Sequence, residues 1–524
     1  MFLDAPHQLL PGKPLTVWLL VKDADLYPIR ICSVRFHLWD DFGGTAVRSF
    51  EPDQVCQGNL QHLAFPLPEL QSGALRGLVR ISGKITIEQK SGPLGTLGKL
   101  GTTSRAETRT FENHNLPGLL PTPLEVLRLE SPLPYPPGWF AGEMHCHSEY
   151  SSDPVEFGAP LDLMQQTADA VGLDFVLCTD HSYDFYYKRE RFLETCVPKA
   201  NFAEYRAQAE ALNREHPERP TLVPGEEVSC GNSRGENVHL LTFGHPEFLP
   251  GLGDGGRRGL RNRPDLTIAE TLDLLGETPS FAAHPKARIG WLERQIFRRG
   301  EWRAEDLQWD RGMRGVRGLQ FWNGNLGPDY LAGKAFWIEQ LLQGHRLLPI
   351  GANDAHGDFN RNTGVKLPLV SLKQGRSHLF GRVRTLVPAA GRDAESLRAT
   401  FRGSLAYPRC LITDGPYAEL RAAGNHFQVI AVSTSDYGPL VSVTVYGAAR
   451  GETRERVLAD WTFGGSEDKS SGLLRVDETV GADVLAGLRA ASLESKNVGT
   501  GSGYLRLEAI THQGRRAMTS AVWL

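Results

Sequence analysis

Between positions 145 and 356 one local arrangement recurs: a short apolar, β-forming run ends, and a histidine or an acid stands at its end or just past it. His145 and His147 lie in Gly142-Glu143-Met144-His145-Cys146-His147-Ser148, with Asp153 six residues beyond His147. His181 closes Thr179-Asp180-His181 after the run 175–178, and Glu227 follows the run 221–223 in Pro224-Gly225-Glu226-Glu227. His239 lies in Val238-His239-Leu240, His284 follows 280–283, and Asp354 and His356 follow 347–351. If these strands are parallel, the ends that carry the polar residues lie on one face, so residues distant in sequence meet in one cup.

Three zones differ in pattern. Residues 1–130 read as β, with runs Leu15–Lys22, 29–39 and 78–88 separated by Gly, Pro and Asp, which suggests a small β-sandwich. A proline-rich stretch, 116–137, reads as a stiff connector. Residues 138–416 alternate strand and helix: Pro160 opens a helical pattern that Gly172 closes, 173–178 is a buried strand, and an amphipathic helix over 330–345 leads into the strand 346–351. That alternation implies parallel strands with helices outside, as a barrel or a doubly wound sheet. Residues 417–524 turn β again, with runs at 426–433, 440–446, 504–510 and 517–524, and read as a second β-sandwich domain.

Composition narrows the class. A chain of 524 residues has room for about three domains. With 40% hydrophobic and 23% charged residues and a net charge of −4, it has the balance of a folded, soluble protein and lacks the basic excess of a nucleic-acid binder. The apolar run near the start is too short to span a bilayer and lacks the features of a signal peptide. Seven cysteines without regular spacing do not form a disulfide framework, so a reducing compartment, the cytoplasm, is expected.

The residue types say what the cup would hold. Six imidazoles and three carboxylates make an N/O donor set suited to Zn, Mn or Fe ions. Alternate residues of a strand share a face, so His145 and His147 can chelate together, as can Asp354 and His356. Nine candidate ligands exceed the needs of one ion, and two or three divalent metal ions bridged by a carboxylate are the natural count.

Taken together, His145-x-His147, Thr179-Asp180-His181, Ala283-His284-Pro285 and Asp354-x-His356 resemble the four motifs of the PHP (polymerase and histidinol phosphatase) superfamily, over about 275 residues of the middle zone. The resemblance implies a distorted (β/α)7 TIM-like barrel, here flanked by N- and C-terminal β-sandwich domains, and a trinuclear centre. His145 and His147 would hold one ion with His284 or Asp354, and Glu227 would bridge. Asp153, His181, His239 and His356 would complete the other sites. Cys410-Leu411-Ile412-Thr413-Asp414-Gly415-Pro416 resembles the ending of the branch that includes carbaryl hydrolases. Glu226-Glu227 stands where the family has one acid two residues after the glycine, which favours Glu227 and turns Glu226 the other way. His245, in Gly244-His245-Pro246, competes with His239 for one ligand position.

Other features carry less. Gly231-Asn232-Ser233-Arg234-Gly235 matches a nucleophile elbow, but a strand follows where that motif needs a helix. Gly251-Leu252-Gly253-Asp254-Gly255-Gly256 matches a dinucleotide fingerprint without its strand or helix. Arg257, Arg258, Arg261 and Arg263 read as a solvated loop, and Cys146 and Cys178 as small core residues. Asp180 reads as a support for neighbouring ligands. Lys286 and Arg288, just past His284, are candidates for holding an anionic substrate. The expected function is a metal-dependent hydrolase, a phosphoesterase by the resemblance, with Asp354, His284 and Glu227 carrying the chemistry on a small anionic molecule. Ester or carbamate hydrolysis on the same centre, or a non-catalytic metal-stabilised scaffold, are the alternatives. No membrane or polymerase partner is expected, and the β domains could join copies of the chain.

Overall fold

The computed structural model describes the chain except for residues 69–74, 91–105, 117–118, 152–157, 187–198, 254–262, 308–314, 361–365, 368–369, 372–374, 404–408, 450, 464–472 and 482–502. It divides into two compact units, Met1–Pro132 with Asp358–Leu379, and Leu133–Gly357 with Phe380–Leu524. Among the described residues no helix is long and apolar enough to cross a membrane.

The first unit contains the short pair Lys366–Leu367 with Val370–Ser371 and two larger sheets. One pairs Phe2–Asp4, Leu15–Lys22 and Leu60–Leu67; the other runs from Gln8–Leu9 through Leu124–Arg128, Leu78–Lys90 and Ile29–Asp40 to Thr45–Phe50. Burial alternates along Ile29–Asp40, the period of a strand with one face packed and one wet. Phe36 of one sheet meets Phe65 of the other with ring centroids 5.6 Å apart. A Cβ on Gly83 would stand 2.3 Å from a methyl of Leu3, so the layers meet at backbone distance there.

The second unit carries the strands of interest: β1 (Trp139–His147), β2 (Phe175–His181), β3 (Thr221–Gly231), β4 (Asn237–Phe243), β5 (Ser280–Ala283), β6 (Gly318–Asn323), β7 (Leu348–Ala352) and the two-residue β8 (Ala355–His356). They lie side by side in numerical order up to β7, and β8 pairs in parallel with the end of β1. The sheet does not stop at β1. It continues through Arg384–Pro388, Leu411–Thr413, Arg516–Thr519 and Gly503–Thr511 to Leu440–Ala449 and Arg456–Thr462, fifteen strands in all. A separate three-stranded sheet of Tyr417–Ala423, His426–Val432 and Arg475–Val480 packs on this extension, burying Val429 and Ala431 with Val443, Val445 and Leu507.

The α/β architecture expected from the sequence, a (β/α)7 TIM-like barrel between two sandwiches, is therefore corrected. The molecule is mostly β, with six α-helices among the described residues, and its principal sheet is mixed. β1–β2, β2–β3, β5–β6 and β6–β7 are parallel, but β3–β4 and β4–β5 are antiparallel. The reason is local. Only residues 232–236 separate β3 from β4, and a link that short can only turn the chain back on itself, whereas a parallel return needs a crossover of a dozen residues or more.

Helices support these strands where the sequence permits. The helix Leu161–Val171 begins after Pro160 and ends at Gly172 in the left-handed conformation. The helix Pro328–Leu342 lies on β6, with Trp337 5.4 Å from Phe321 ring to ring. Gly333, one turn before Trp337, is the contact point: a Cβ there would fall 2.6 Å from the Cβ of Phe321. Gly333→Ala, which in an exposed helix would gain about 1 kcal/mol, is thus expected to lower the melting temperature, since overpacking costs about 1–3 kcal/mol. An unchanged or higher melting temperature in calorimetry would show that the helix shifts freely on β6.

Candidate metal centre

Alternation along paired strands decides which side chains meet. His181 and Glu227 are register partners in the parallel β2–β3 pair, so they share a face, and Asp180 and Glu226 share the other. Ser229 opposes His239 and Glu227 opposes Leu241 across the β3–β4 hairpin, which sets His239 on the same face as Glu227. His147 and His356 are register partners in β1–β8, and their rings stack at 3.9 Å and 13°. Two ligand-type residues leave ordinary backbone space: His284 has φ 27° and Asp354 φ 54°. The left-handed region costs a non-glycine residue of order 1 kcal/mol or more, and such strain persists only where the surroundings enforce it.

The side chains converge on Glu227. Its Oε2 lies 2.9 Å from His181 Nδ1, 3.2 Å from His145 Nε2 and 3.4 Å from His147 Nε2. Its Oε1 meets His239 Nδ1 and lies 3.2 Å from His284 Nε2. Asp354 Oδ1 stands 3.2 Å from both His145 Nε2 and His147 Nε2, and these two nitrogens are themselves 3.2 Å apart. Three ligand-type groupings overlap: His145, His147, Glu227 and Asp354; His181, Glu227 and His239; and His147, His181 and His356. Buried His/Glu/Asp groups that could hold a metal ion are therefore present.

The fit to a cation rests on an unsatisfied atom. Glu227 Oε2 is fully buried and has no hydrogen bond of acceptable geometry, although three ring nitrogens lie within 3.4 Å of it. A buried carboxylate oxygen without a hydrogen bond is costly. Imidazole nitrogens that approach it without donating are placed as ligands around a shared positive centre would be. The electrostatics agree. Burial opposes ionisation of Glu227 and Asp354, but the surrounding imidazoles hold both well below the usual carboxylate range. Burial pulls His145 down, yet Asp354 and Glu227 together push it up to about 10. His147 is held well below its usual value by burial and by His356 and His181 beside it.

A ring of supporting groups surrounds the ligands. The His147 Nδ1 lies 3.1 Å from Ser151 Oγ, and Ser151 donates to Asp180, which also accepts from Ser148. Glu143 accepts from the backbone N–H of Met144, His145, Asn353 and Gly381, and burial raises it to about 7. The register of β1 slips between Glu143 and Cys146, so Glu143 closes over the N–H groups that this bulge frees. Gln320 and Asn323 on β6 touch His145, His284 and Asp354. The sequence reading did not single out Gln320, Asn323, Ser151 or Glu143. The signal for Gln320 was a lone amide within the apolar run 318–322.

Of the expected site residues, His145, His147, His181, Glu227, His239, His284, Asp354 and His356 are brought together. Asp153, Arg257, Arg258 and Arg261 lie outside the described residues. Glu226 accepts from Ser182 Oγ at 3.0 Å and from Leu249 N, on the far face of β3. His245 is turned to Glu247 O at 2.7 Å. Lys286 donates to Trp302 O at 2.7 Å and lies over the Phe336 ring, and Arg288 pairs with Asp329 at the surface. Neither is seen in contact with the cluster. His239→Ala is expected to lower the metal content of purified protein while His245→Ala leaves it unchanged, as read by elemental analysis. Equal loss in both would mean that the β4 histidine is not a ligand.

Neither a family model nor a curated protein matches this chain. Among solved structures, a β-D-mannosidase from Dictyoglomus thermophilum aligns at 9% identity and a TM-score of 0.18, over 99% of this chain and 66% of that one. A protein assigned as a β-galactosidase from Bacteroides fragilis aligns at 11% identity and a TM-score of 0.17, over 100% of this chain and 72% of that one. The chain thus spans just under two thirds of the mannosidase's length. At these TM-scores the likenesses carry no inference about fold or activity.

Proposed function

We propose that this protein is a metal-dependent hydrolase whose centre holds two or three divalent cations and whose substrate is an anionic phosphoester. The observation that carries this reading is Glu227, whose two buried oxygens are shared among five imidazoles: His145, His147 and His181 on one side, His239 and His284 on the other. A closed structural site needs four ligands and no shared carboxylate; overlapping ligand groupings with a common acid suit a bridged, multinuclear centre. The motif resemblance to the PHP superfamily supports the same chemistry.

The residues divide the work by position. His145, His147 and Asp354 would hold one cation, His181 and His239 another, with Glu227 between them and His356 beside His147. Such cations supply Lewis acidity, making water nucleophilic near neutral pH and neutralising charge on the scissile group. His145, His147 and Glu227 are fully buried, whereas the side chains of His284, Asp354 and His356 keep 16%, 22% and 17% of their exposure. The substrate therefore approaches from the side of these three. Burial lowers His284 despite Glu227 beside it, which favours its neutral ring on that open side.

Elemental analysis of protein purified without added metal is expected to give two or three equivalents of Zn, Mn or Fe. Removal by a chelator should abolish turnover on a panel of phosphomonoesters, phosphodiesters and aryl esters. Asp354→Asn keeps the side-chain shape and tolerates the left-handed backbone. It is expected to reduce turnover by a factor of about 100 or more while circular dichroism stays native. Full metal occupancy without turnover on any class would favour a scaffold, and full activity after chelation would exclude the mechanism.

A further inference from the structure

The amide pair Gln320–Asn323 on β6 joins two of the ligand residues by an unbroken chain of hydrogen bonds. Gln320 Oε1 lies 2.9 Å from His145 Nδ1 and accepts from the backbone N–H of His284 at 3.3 Å. Gln320 Nε2 donates to Asn323 Oδ1 at 3.1 Å, and Asn323 Nδ2 donates to Asp354 Oδ2 at 3.3 Å. Residues three apart on a regular strand point to opposite faces. Here the register of β6 slips between Gln320 and Trp322, and the extra residue turns Gln320 and Asn323 toward the same side.

The direction of the chain is fixed from both ends. An ionised Asp354 can only accept, so Asn323 must present its NH₂ to it and its oxygen to Gln320. Gln320 must then present its own NH₂ to Asn323 and its oxygen to His145. The His284 N–H, which can only donate, requires the same orientation of Gln320 independently. With that oxygen in place, His145 Nδ1 carries the hydrogen, and Nε2 is the atom turned to Glu227 Oε2 and Asp354 Oδ1.

We propose that Gln320 and Asn323 are positioning residues of the metal centre: they hold His145 in the Nδ1–H tautomer, with Nε2 as the ligand atom, and couple its orientation to that of Asp354. This rests on the metal-centre reading above and adds to it that two ligands from β1 and the β7–β8 turn are set by one relay from β6. Loss of such a support to a metal-bound histidine typically costs 10–100-fold in affinity.

The test is a Co²⁺ titration of the metal-free, full-length protein, followed by visible absorption. Gln320→Leu is expected to weaken Co²⁺ binding 10–100-fold and to alter the absorption bands, with the melting temperature of the metal-free protein close to wild type. Asn323→Ala, at a half-buried position, should weaken it less. The double variant should bind no worse than Gln320→Leu alone, because both act through one chain. Gln320→Leu binding as tightly as wild type, or additive losses in the double variant, would overturn the relay and leave the metal centre standing. Absence of Co²⁺ binding by the wild type would bring down both. If Gln320→Leu does not fold, unchanged affinity and spectrum in Asn323→Ala overturn the relay by themselves.

Discussion

A carboxylate sealed from water among five imidazoles is the constraint around which the rest of this site is arranged. Glu227 is fully buried at the middle of β3, and its neighbours arrive from β1, β2, β4 and the turn after β5. A buried negative charge must be compensated where it sits, because the low-dielectric interior makes an uncompensated one expensive by several kcal/mol. Four elements that share no local sequence are thereby tied to one point. The register of β2 with β3, and of β3 with β4, follows from the need to put His181 and His239 on the Glu227 face, since a slip of one residue would turn each of them away.

Irregular backbone does the remaining placement. β1 loses register by one residue next to His145 and His147, β6 does so next to Gln320, and His284 and Asp354 both adopt positive φ just past a strand end. Regular strands offer only every second residue to a face. A centre that needs donors from many directions within 3–4 Å has to break that rule. Glu143 closes over one bulge by accepting from the N–H groups of Met144 and His145, and the Asp354 N–H is held by His145 O at 2.8 Å. Strain at the ligands is in this way offset by hydrogen bonds to buried acceptors.

How much of this was legible in the sequence depends on the physics each residue reports. His145-x-His147 and Asp354-x-His356 declare themselves, because period-two spacing of donor residues has few other uses. Choosing His239 over His245 needed the β3–β4 register, which no spacing rule supplies: His239 lies within that hairpin on the Glu227 face, whereas His245 lies past the end of β4 and turns to Glu247 O. Gln320 was hidden because a single amide in the apolar run 318–322 looks like any satisfied polar residue until its partners are seen. The fold class went wrong at one turn. Asn232 and Gly235 carry an ordinary turn signal, and reading Asn237–Phe243 as a strand was enough to dismiss a nucleophile elbow there. The same facts imply a hairpin, and a hairpin breaks the parallel order that alternating strands and helices had suggested.

The charge balance of the centre bears on what it would act on. Among the described residues the cluster contributes two carboxylates, Glu227 and Asp354, and a histidine that holds a cation does so as a neutral ring. Two divalent cations would outweigh them, so the loaded site would be net positive and would favour an anion at the open side formed by His284, Asp354 and His356. Among the described residues, the two cations that follow His284 do not duplicate that role. Lys286 is turned into Trp302 and Phe336, and Arg288 to Asp329. Recognition of negative charge would then fall to the same ions that activate water. Binding and transition-state stabilisation would in that case draw on one set of interactions, and the stronger of the two would be the one in which charge on the substrate oxygens has grown. A neutral ester would gain only the second, which is the physical ground for ranking an anionic phosphoester ahead of it.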